Sequence, residues 1–345
     1  MSVHTVVVRA RAVPGAPRSC GRVWDDAAMS TRLVCCGLTT LDVTQVVDRV
    51  PGADEKVVAD GLDVTFGGPA ANAAAVAVGL GVPTTLVTVL GAGPLADVAR
   101  AGLADAGVDV VDLARGAEGV LPVSTVLVTR GTGERAVVSV NGARAPHVAA
   151  DVRVLDGATA LLVDGHHAGA AVPVARAARA AGLPVLLDGG SWKPTTPDLL
   201  AVVDHAVLSA DLLVPGLADP RAATGAEQED AVAALLAAVA AHGPRFVARS
   251  AGAGDVRVRR TVAGGGVVHE RVRPARVGAG DVVDTLGAGD VLHGAMAAAL
   301  ARGSGSLDAL VEGVRCATAS VRHAGARGWL AAADVGAAPD VLTGV

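Results

Sequence analysis

Short β-branched runs alternate with alanine-rich helical runs along most of this chain, and this alternation is the feature that most restricts its fold. The run LVCCG (residues 33–37) has the composition of a buried strand, whereas PAANAAAVAVGLG (69–81) is helical and ends at glycine. The alternation continues to the strand-like RFVARS (245–250). Strands and helices at this spacing predict an α/β fold, with a mostly parallel central sheet covered by helices on both faces.

Two regions are β-rich without a helix between their strands. They are DEKVVADGLDVTF (54–66) and STVLVTRGTGERAVVSV (124–140), and the second carries a hairpin signal, RGTGER, between two β-branched runs. Such insertions predict a small separate sheet, formed by about residues 43–66 and 122–141. Two interpretations stay open for it: a lid over an active site, or an extension at the edge of the main sheet.

The regular pattern also suggests where the domain begins and ends. We expect one domain over residues 31–335, followed by a tail at 336–345. Residues 1–30 have the character of an addition, because regular patterning begins at Arg32. The hypothesis is that this segment is disordered or not native and that Met29 is the true start. N-terminal sequencing of the native protein tests this, and a mature terminus at Ser2 contradicts it.

Composition excludes several classes of function. The 345 residues carry a net charge of −5 with 1% aromatics, no Tyr, and lysine only at Lys56 and Lys193. The clustered cations and stacking aromatics of a nucleic-acid groove are therefore missing. The longest apolar helical run, residues 231–241, is too short to span a bilayer. Four cysteines without CxxC spacing indicate neither zinc nor disulfides, which favours a reducing cytoplasm.

The tetrapeptide GAGD occurs three times, at residues 252–255, 278–281 and 287–290. The first copy lies between two strand-like runs and is predicted to be a hairpin turn. The second runs into VVDT (282–285), a predicted short strand, so it is expected to be a loop. Only the third is followed by a long helical pattern, VLHGAMAAALARG, with Gly303 as a plausible stop.

This helical context gives the third copy a chemical interpretation. A helix begins with backbone N–H groups that lack intrahelical partners, and its dipole favours negative charge there. Glycines let an anion approach the backbone closely, so Gly287, Ala288 and Gly289 suit polyphosphate oxygens. Asp290 at the helix start suits a general base that accepts a proton from an attacking hydroxyl. The alternative is an ordinary Asp N-cap after a glycine-rich turn.

A family resemblance supports the chemical interpretation. DTLGAGD (284–290), followed by a helix of small residues, resembles the C-terminal signature of the ribokinase-like, PfkB-type carbohydrate kinases. GLTTLD (37–42) is similar to the family's first strand and loop, and VTFGGPAANAAAVAVGLG (64–81) resembles its di-glycine motif. The resemblance extends from about Arg32 to Leu330. Two signatures in the right order and at the right distance are more specific than either alone.

The resemblance implies a ribokinase fold with a β lid that often pairs into a homodimer. It implies transfer of the γ-phosphoryl group of ATP to a small sugar or sugar acid, with Mg²⁺ and often a monovalent cation such as K⁺ near the nucleotide loop. The residues assigned by position are the catalytic Asp290, Gly287, Ala288 and Gly289, the sugar-binding Asp42, Gly68 and Asn72, and the nucleotide-binding Asp284, Thr285, Gly287, Gly289, Gly252 and Gly325.

The middle of the chain is similar to the ketohexokinase-like and bacterial sugar-kinase branch. The similarity lies in LLVDGHHAGAAVPVARAARAAGLPVLLDGGSWKP and in GARGWL (325–330). It implies that Asp188 and Lys193 lie near substrate or phosphates, although a solvated loop position suits Lys193 equally well. His166 and His167 follow a strand, and a structural role in the loop is expected for both.

The chain also departs from the family pattern. Where many members carry Asn-x-x-Glu to organise Mg²⁺, this chain has Ser209 and Leu212, with Asp211 as a substitute candidate. His293 stands where a Phe or Asn is common. These differences keep two alternatives open: a nucleoside kinase of the same fold, which the few aromatics weigh against, and a sensing protein that lost turnover. A dinucleotide fold and a P-loop kinase are disfavoured because neither glycine motif is present.

Overall fold

The first strand illustrates how the sequence builds a core on both faces of a sheet. The computed structural model describes residues 31–131, 134–140, 142, 148–331 and 342–344. Within the strand Leu33–Cys36 every side chain is buried. Successive side chains of a strand point to opposite faces, so Cys35 enters one hydrophobic cluster and Cys36 enters the other. A strand buried on both faces requires helices on both sides of the sheet.

The strands and helices are numbered here in chain order. The strands are β1 (Leu33–Cys36), β2 (Thr40–Val47), β3 (Gly61–Gly67), β4 (Thr84–Thr88), β5 (Asp109–Asp112), β6 (Val123–Thr129), β7 (Arg135–Ser139), β8 (Ala160–Val163), β9 (Val185–Gly189), β10 (His205–Leu208), β11 (Phe246–Ala251), β12 (Gly254–Thr261), β13 (Val267–Arg273) and β14 (Leu342–Gly344). The helices are α1 (Pro69–Gly79), α2 (Pro94–Asp105), α3 (Ala168–Ala180), α4 (Thr196–Leu200), α5 (Gly225–Ala241), α6 (Ala288–Ala301) and α7 (Ser306–Ser320).

The main sheet has ten strands in the order β14-β13-β12-β11-β10-β9-β8-β1-β4-β5. The strands from β11 to β5 pair in parallel, and β12, β13 and β14 extend the sheet antiparallel. Helices α1, α2, α6 and α7 cover one face, and α3, α4 and α5 cover the other. The predicted α/β class, with a mostly parallel sheet between two helical layers, is confirmed.

A second sheet of four strands has the order β3-β2-β6-β7. The hairpin predicted at RGTGER joins β6 to β7, which pair antiparallel from Ser124–Ser139 to Val128–Arg135. Strand β2 pairs with β6 in parallel and with β3 antiparallel. These strands do not join the ten-stranded sheet, so the interpretation as an edge extension is wrong.

The segment after the second GAGD copy differs from its prediction. VVDT (282–285) was expected to be a strand, but the structure has only a single 3₁₀ turn at Ala279–Asp281 and an extended loop after it. The amides of Val283 and Asp284 donate to one carbonyl, that of Val321 at the end of α7, at 2.8 and 3.2 Å. This pair of bonds does not form a ladder, and Val282 and Val283 are both exposed.

The ends of the chain fall mostly outside the described residues. The expected N-terminal extension, residues 1–30, lies wholly outside them, as does most of the expected tail at 336–345. Residues 342–344 of that tail form β14 at the edge of the main sheet. Among the helices that the structure describes, none is both long and apolar enough to cross a bilayer. Cys35, Cys36 and Cys316 are buried free thiols.

Candidate active site

A cavity of about 1290 Å³ opens between the inner face of the four-stranded sheet and the N-terminal ends of α1 and α6. Small-molecule sites usually measure about 300–1,000 Å³, so this cavity has room for two ligands side by side. Its lining includes eight of the residues predicted for sugar or nucleotide binding and catalysis: Asp42, Gly68, Asn72, Asp284, Thr285, Gly287, Asp290 and Gly325.

The third GAGD copy forms the start of α6, as its helical context predicted. Gly287 is the N-cap residue with a φ of 74°, a left-handed conformation that side chains disfavour. A Cβ at this position would lie 2.4 Å from the Cβ of Ala326. Ala288 and Gly289 form the first turn, and Asp290 follows them in it. The turn therefore has backbone N–H groups and a carboxylate at the positive end of the helix. Of its four residues, only Gly287 and Asp290 line the cavity, and the amide of Ala288 already donates to the Thr285 carbonyl at 3.3 Å.

Asp290 is half-buried, and its pKa is raised from the usual value. Its Oδ2 accepts a hydrogen bond from Asn72 Nδ2 at 2.7 Å. Desolvation and, to a smaller extent, the neighbouring Asp188 raise the pKa of Asp290, the bond from Asn72 opposes the rise, and the net value is about 7. A carboxylate with such a pKa can both accept a proton and release it near neutral pH.

The di-glycine motif shapes the opposite wall of the cavity. Asp42 in β2 accepts a bond from Thr40 Oγ1 at 2.7 Å. A Cβ on Gly67 would collide with the Asp42 carboxylate, so Gly67 makes room for it. Gly68 has a φ of 96°, and a Cβ there would lie 2.5 Å from the Leu38 carbonyl oxygen. Gly67 thus lets the end of β3 lie against Asp42 of β2, and Gly68 lets the chain lie against the loop after β1.

Arg327 lies between these two walls and is a residue that the sequence interpretation missed. One Nη donates to Asn72 Oδ1, and the other donates to Thr65 Oγ1 at 2.8 Å and to the Phe66 carbonyl at 3.1 Å. Its Cζ lies 3.8 Å from the centre of the Phe66 ring. Because Arg327 holds Oδ1 of Asn72, the amide nitrogen of Asn72 faces Asp290. The only signal in the sequence was the segment GARGWL (325–330), which resembles the sugar-kinase branch but did not by itself assign a role to its arginine.

The predicted nucleotide residues lie at the other end of the cavity. Asp284 Oδ1 accepts from the amide of Leu286, and its Oδ2 accepts from the amide of Gly325, both at 2.8 Å. Thr285 Oγ1 accepts from Arg135 Nη1 of β7 at 3.1 Å. These bonds connect the loop before α6 with the loop after α7 and with the small sheet. Gly252 is not brought together with them: it lies in the exposed turn between β11 and β12, outside the cavity lining.

Asp164 is a second residue missed by the sequence interpretation. It follows β8, which pairs with β1 where the strand order of the sheet reverses. Such reversal points form the ligand crevice of open α/β sheets. Asp164 is buried, and its Oδ2 accepts from the amides of Leu38 at 2.7 Å and Ala70 at 3.2 Å. It therefore fixes the loop after β1 and the start of α1. The signal was an Asp directly after a buried strand, in DGHH.

Three basic residues near Asp164 were singled out in the sequence: His166, His167 and Lys193. His167 has a left-handed φ of 51° and is the N-cap of α3. Its Nε2 is buried without a hydrogen-bond partner among the described residues. Burial lowers the pKa of both His166 and His167. Lys193 Nζ donates to Ser191 Oγ at 3.2 Å. None of these three side chains lines the large cavity.

The metal arrangement expected from the family is not reproduced by these residues. Leu212, at the position of the usual Glu, is buried in the core. Asp211 is exposed, and its Oδ1 accepts from Arg221 Nη1 at 2.8 Å. Within the part of the chain that the structure describes, no group of three or more His, Cys, Asp or Glu side chains could hold a metal ion. The chain therefore presents no preformed Mg²⁺ cage there.

Known proteins are similar to this chain over most of its length. Residues 30–332 match the model of the pfkB family carbohydrate kinases. A ribokinase from Arabidopsis thaliana is 27% identical over 305 residues, which cover 85% of this chain and 77% of that protein. The family match includes every described strand except β14 and all the residues that line the cavity.

Solved structures share the fold at low identity. The ribokinase of Arabidopsis thaliana in complex with ribose and ATP has a TM-score of 0.68 at 23% identity, covering 90% of this chain and 96% of that one. The ribokinase of Thermotoga maritima has a TM-score of 0.64 at 20% identity, covering 86% and 95%. A carbohydrate kinase from Agrobacterium tumefaciens has a TM-score of 0.62 at 18% identity, covering 91% and 99%.

Proposed function

This chain belongs to the pfkB family of carbohydrate kinases and is an ATP-dependent carbohydrate kinase, and we propose that Asp290 is the general base of its reaction. The observation that carries the proposal is the position of Asp290. It lies in the first turn of α6, and its carboxylate is bonded at 2.7 Å to Asn72 in a cavity shared with Asp42. A base, a hydroxyl-binding amide and an anion-binding helix terminus thus face one space.

The proposed reaction uses each of these groups once. Asp42, Asn72 and the backbone at Gly68 hold hydroxyls of the sugar, because carboxylate and amide groups pair with vicinal hydroxyls as acceptor and donor. Asp290 takes the proton of the attacking hydroxyl. The amides at residues 287–289 stabilise the charge on the transferred γ-phosphoryl group. The bond between the γ-phosphorus of ATP and the oxygen that leaves with ADP breaks as the bond from the γ-phosphorus to the sugar oxygen forms.

The charges around the sugar side favour a neutral sugar over a sugar acid. Asp42, Asp63 and Asp290 all act on Arg327, and Arg327 already donates to three protein acceptors. A substrate carboxylate there would meet three acidic groups beside an arginine that is already hydrogen-bonded. The other two arginines of the lining also have partners: Arg130 pairs with Asp60, and Arg135 donates to Thr285. The ribokinase in complex with ribose and ATP is consistent with this choice. A purine base has less support, since Phe66 is the only aromatic residue among the described residues of the lining and Arg327 covers it.

The nucleotide is proposed to lie against Asp284, Thr285 and Gly325, next to the phosphate-binding turn at residues 287–289. Gly252 is left out of the proposed nucleotide site, because it lies in an exposed turn outside the cavity lining. We further propose that Mg²⁺ enters together with ATP, because this ion commonly keeps its waters and binds through phosphates and few carboxylates. Chelation with EDTA should then abolish turnover, and added Mg²⁺ should restore it without a change in the fold by circular dichroism.

The decisive test is a coupled ADP-release screen over pentoses, ketohexoses, sugar acids and nucleosides, each with and without K⁺. We expect turnover with a neutral sugar, and K⁺ stimulation if the expected monovalent cation is used. Asp290→Asn serves as the matched blank for each substrate. Activity on nucleosides alone would replace the sugar assignment. Absence of activity on every class, with ATP binding intact, would favour the sensing alternative.

A homodimer through the small sheet is also proposed. The face of this sheet turned away from the cavity carries a row of paired residues, Val64, Val43, Thr125 and Val138. Val138 is 75% exposed and Val64 is 41% exposed, so the two ends of this row form an accessible apolar surface. Light scattering should give a dimer, and Val138→Lys should give a monomer. Val267→Lys, an exposed valine in β13, is the control, and a monomeric wild type would refute the dimer.

A cytoplasmic location is proposed from the thiols and the nucleotide. Cys35, Cys36 and Cys316 are unpaired among the described residues and buried, which suits a reducing compartment. Burial raises the pKa of all three thiols and keeps them unreactive. Cell fractionation tests the location, and recovery of the protein in an extracellular fraction would contradict it.

A further inference from the structure

His293 lies one turn after Asp290 in α6 and is surrounded by hydrogen-bond acceptors. The side chain is buried. Its Nδ1 lies 2.7 Å from the carbonyl oxygen of Gly289 and 3.2 Å from Asp188 Oδ2. Its Nε2 lies 3.0 Å from the carbonyl oxygen of Val207. Each ring nitrogen therefore faces at least one oxygen that can only accept.

Such surroundings specify the protonation of the ring. A neutral imidazole has one N–H and one bare nitrogen, so one of its nitrogens would face a carbonyl oxygen lone pair to lone pair. The imidazolium ion has an N–H on both nitrogens and satisfies all the acceptors. Asp188 is buried beside the ring. Burial raises the pKa of its carboxyl and a protonated His293 lowers it, so the two opposite charges stabilise each other. A buried ion pair is stable only when its remaining polar atoms are hydrogen-bonded, and the carbonyls of Gly289 and Val207 meet this requirement.

The ring also connects three structural elements. Gly289 directly precedes Asp290 in the proposed phosphate-binding turn, Asp188 belongs to β9, and Val207 belongs to β10. His293 thus fixes the first turn of α6 to two central strands of the parallel sheet. A misplacement of about 1 Å in such a turn can cost ~10²-fold in rate, so this connection bears on the chemistry without touching a ligand.

Four charged side chains act on the carboxylate of Asp290. Asp188 in β9 and Asp164 after β8 raise its pKa, whereas His293 lowers it. Arg327 interacts with it across the sugar side of the cavity. Lys193 acts on Asp188 from the loop after β9. Asp188 and His293 therefore act on the proposed base in opposite directions, although they form one ion pair.

We propose that Asp188 and His293 form a positioning pair that holds the turn at residues 287–290 and balances the charge felt by Asp290. This inference rests on the proposed role of Asp290 as the base. Neither residue lines the cavity, although the family resemblance placed Asp188 near substrate or phosphates; both act through the backbone and the electrostatic field. The role gives a physical reason for a histidine where the family commonly has Phe or Asn.

The first experiment observes the ring directly and needs no turnover. Two-dimensional ¹H–¹⁵N spectra of histidine-labelled protein should contain one side chain with both ring nitrogens protonated at neutral pH. That signal should be absent in His293→Gln and present in His269→Gln, an exposed histidine of β13. A neutral tautomer at His293 overturns the pair. This outcome is separate from the base assignment, because Asp290→Asn can still abolish turnover in a protein whose His293 is neutral.

The second experiment uses the opposite signs of the two charges. The acidic limb of the kcat/KM profile should move up by on the order of one pH unit in His293→Gln and down by a similar amount in Asp188→Asn. A role confined to folding would lower kcat in both variants without opposite shifts. Equal-direction shifts, or an unmoved limb in a folded His293→Gln protein, overturn the proposal. If Asp188→Asn does not fold, the His293→Gln profile and the spectra still decide.

Discussion

Two copies of one tetrapeptide, GAGD at residues 252–255 and at 287–290, have opposite fates in this molecule. In the first copy, Gly252 lies in an exposed hairpin turn and Asp255 binds Arg273 Nε at 3.0 Å. In the second, Asp290 lies in the first turn of α6, lines the large cavity and accepts a hydrogen bond from the uncharged amide of Asn72. The hydrogen bond to Arg273 lowers the pKa of Asp255, whereas desolvation raises that of Asp290 to about 7.

The difference teaches that neighbours, not the peptide, determine what such a carboxylate can do. An aspartate paired with arginine, like Asp255, stays ionised over the whole physiological range and has little tendency to take a proton. An aspartate at a helix start, poorly solvated and beside a second carboxylate, takes up and releases a proton near neutral pH. One part of this difference can be recognised in the sequence: the copy at residues 287–290 is followed by a helical pattern, and the copy at 252–255 is not.

The largest expected effect is on turnover. Asp290→Asn should lower kcat by ~10²–10⁴-fold or more, because the attacking hydroxyl loses its base. Asp255→Asn and Asp281→Asn should keep nearly full activity, since neither carboxylate lines the cavity. Steady-state ADP release measures all three variants. Near wild-type turnover in Asp290→Asn, with fold and nucleotide binding intact, would remove the distinction between the copies.

The glycines of the two copies provide a second contrast. Gly287→Ala should both destabilise the protein and reduce activity, because the new Cβ would lie 2.4 Å from Ala326 at a left-handed φ. A strained position of this kind costs ~1–3 kcal/mol. Gly252→Ala also has a left-handed φ but meets nothing within 4 Å, so about 1 kcal/mol of strain is expected and activity should persist. Urea denaturation and the same assay separate the two; equal losses of activity would contradict the comparison.

A third contrast removes the partner of each carboxylate. Asn72→Ala should lower kcat/KM by roughly 10–10²-fold, because it removes a hydroxyl-binding amide and a bond that lowers the pKa of Asp290. The acidic limb of its pH profile should therefore move upward. Arg273→Ala, which removes the partner of Asp255, should leave the kinetic parameters unchanged. A pH profile of Asn72→Ala identical to that of the wild type would argue against the bond to Asp290.

Much of the fold could be predicted from the sequence because the information is local. Alternating patterns specified the parallel strands, and the RGTGER turn specified the hairpin of the small sheet. The VVDT segment was misread for a physical reason. Two adjacent valines indicate β conformation but not whether a partner strand is available, and here the amides of Val283 and Asp284 bond to the end of a helix instead.

Only some residues of the candidate site could be predicted by the same reasoning from local sequence. Asp290 and Asn72 stand in motifs whose glycines and helices can be recognised locally. Arg327 and Asp164 act through contacts with residues that are far away along the chain, such as Arg327 with Asn72, 255 positions apart. His293 was noted only as a departure from the family. Its three acceptors come from α6, β9 and β10, so its role appears only when the strands are side by side.

The smallest expected effect, and the most specific, is on stability. Asp290 has a folded pKa near 7 against an unfolded value of 3.8, so the native state binds more protons between these values and loses stability as pH rises through them. Asp290→Asn removes this penalty. It should be more stable than the wild type by about 1–2 kcal/mol at pH 8, after allowance for partial solvation, and by less at pH 5.

Asp255 gives the opposite sign. Its folded pKa lies below 3.8, so its ion pairs contribute stability that is fully present above that pH and is lost as pH falls through the folded value. Asp255→Asn should therefore be less stable than the wild type by ~0.2–1 kcal/mol, equally at pH 5 and pH 8. Urea denaturation at both pH values tests the pair of variants. Two differences with the same sign, or an Asp290→Asn difference that does not grow with pH, would show that the two carboxylates are not in the opposed environments described here.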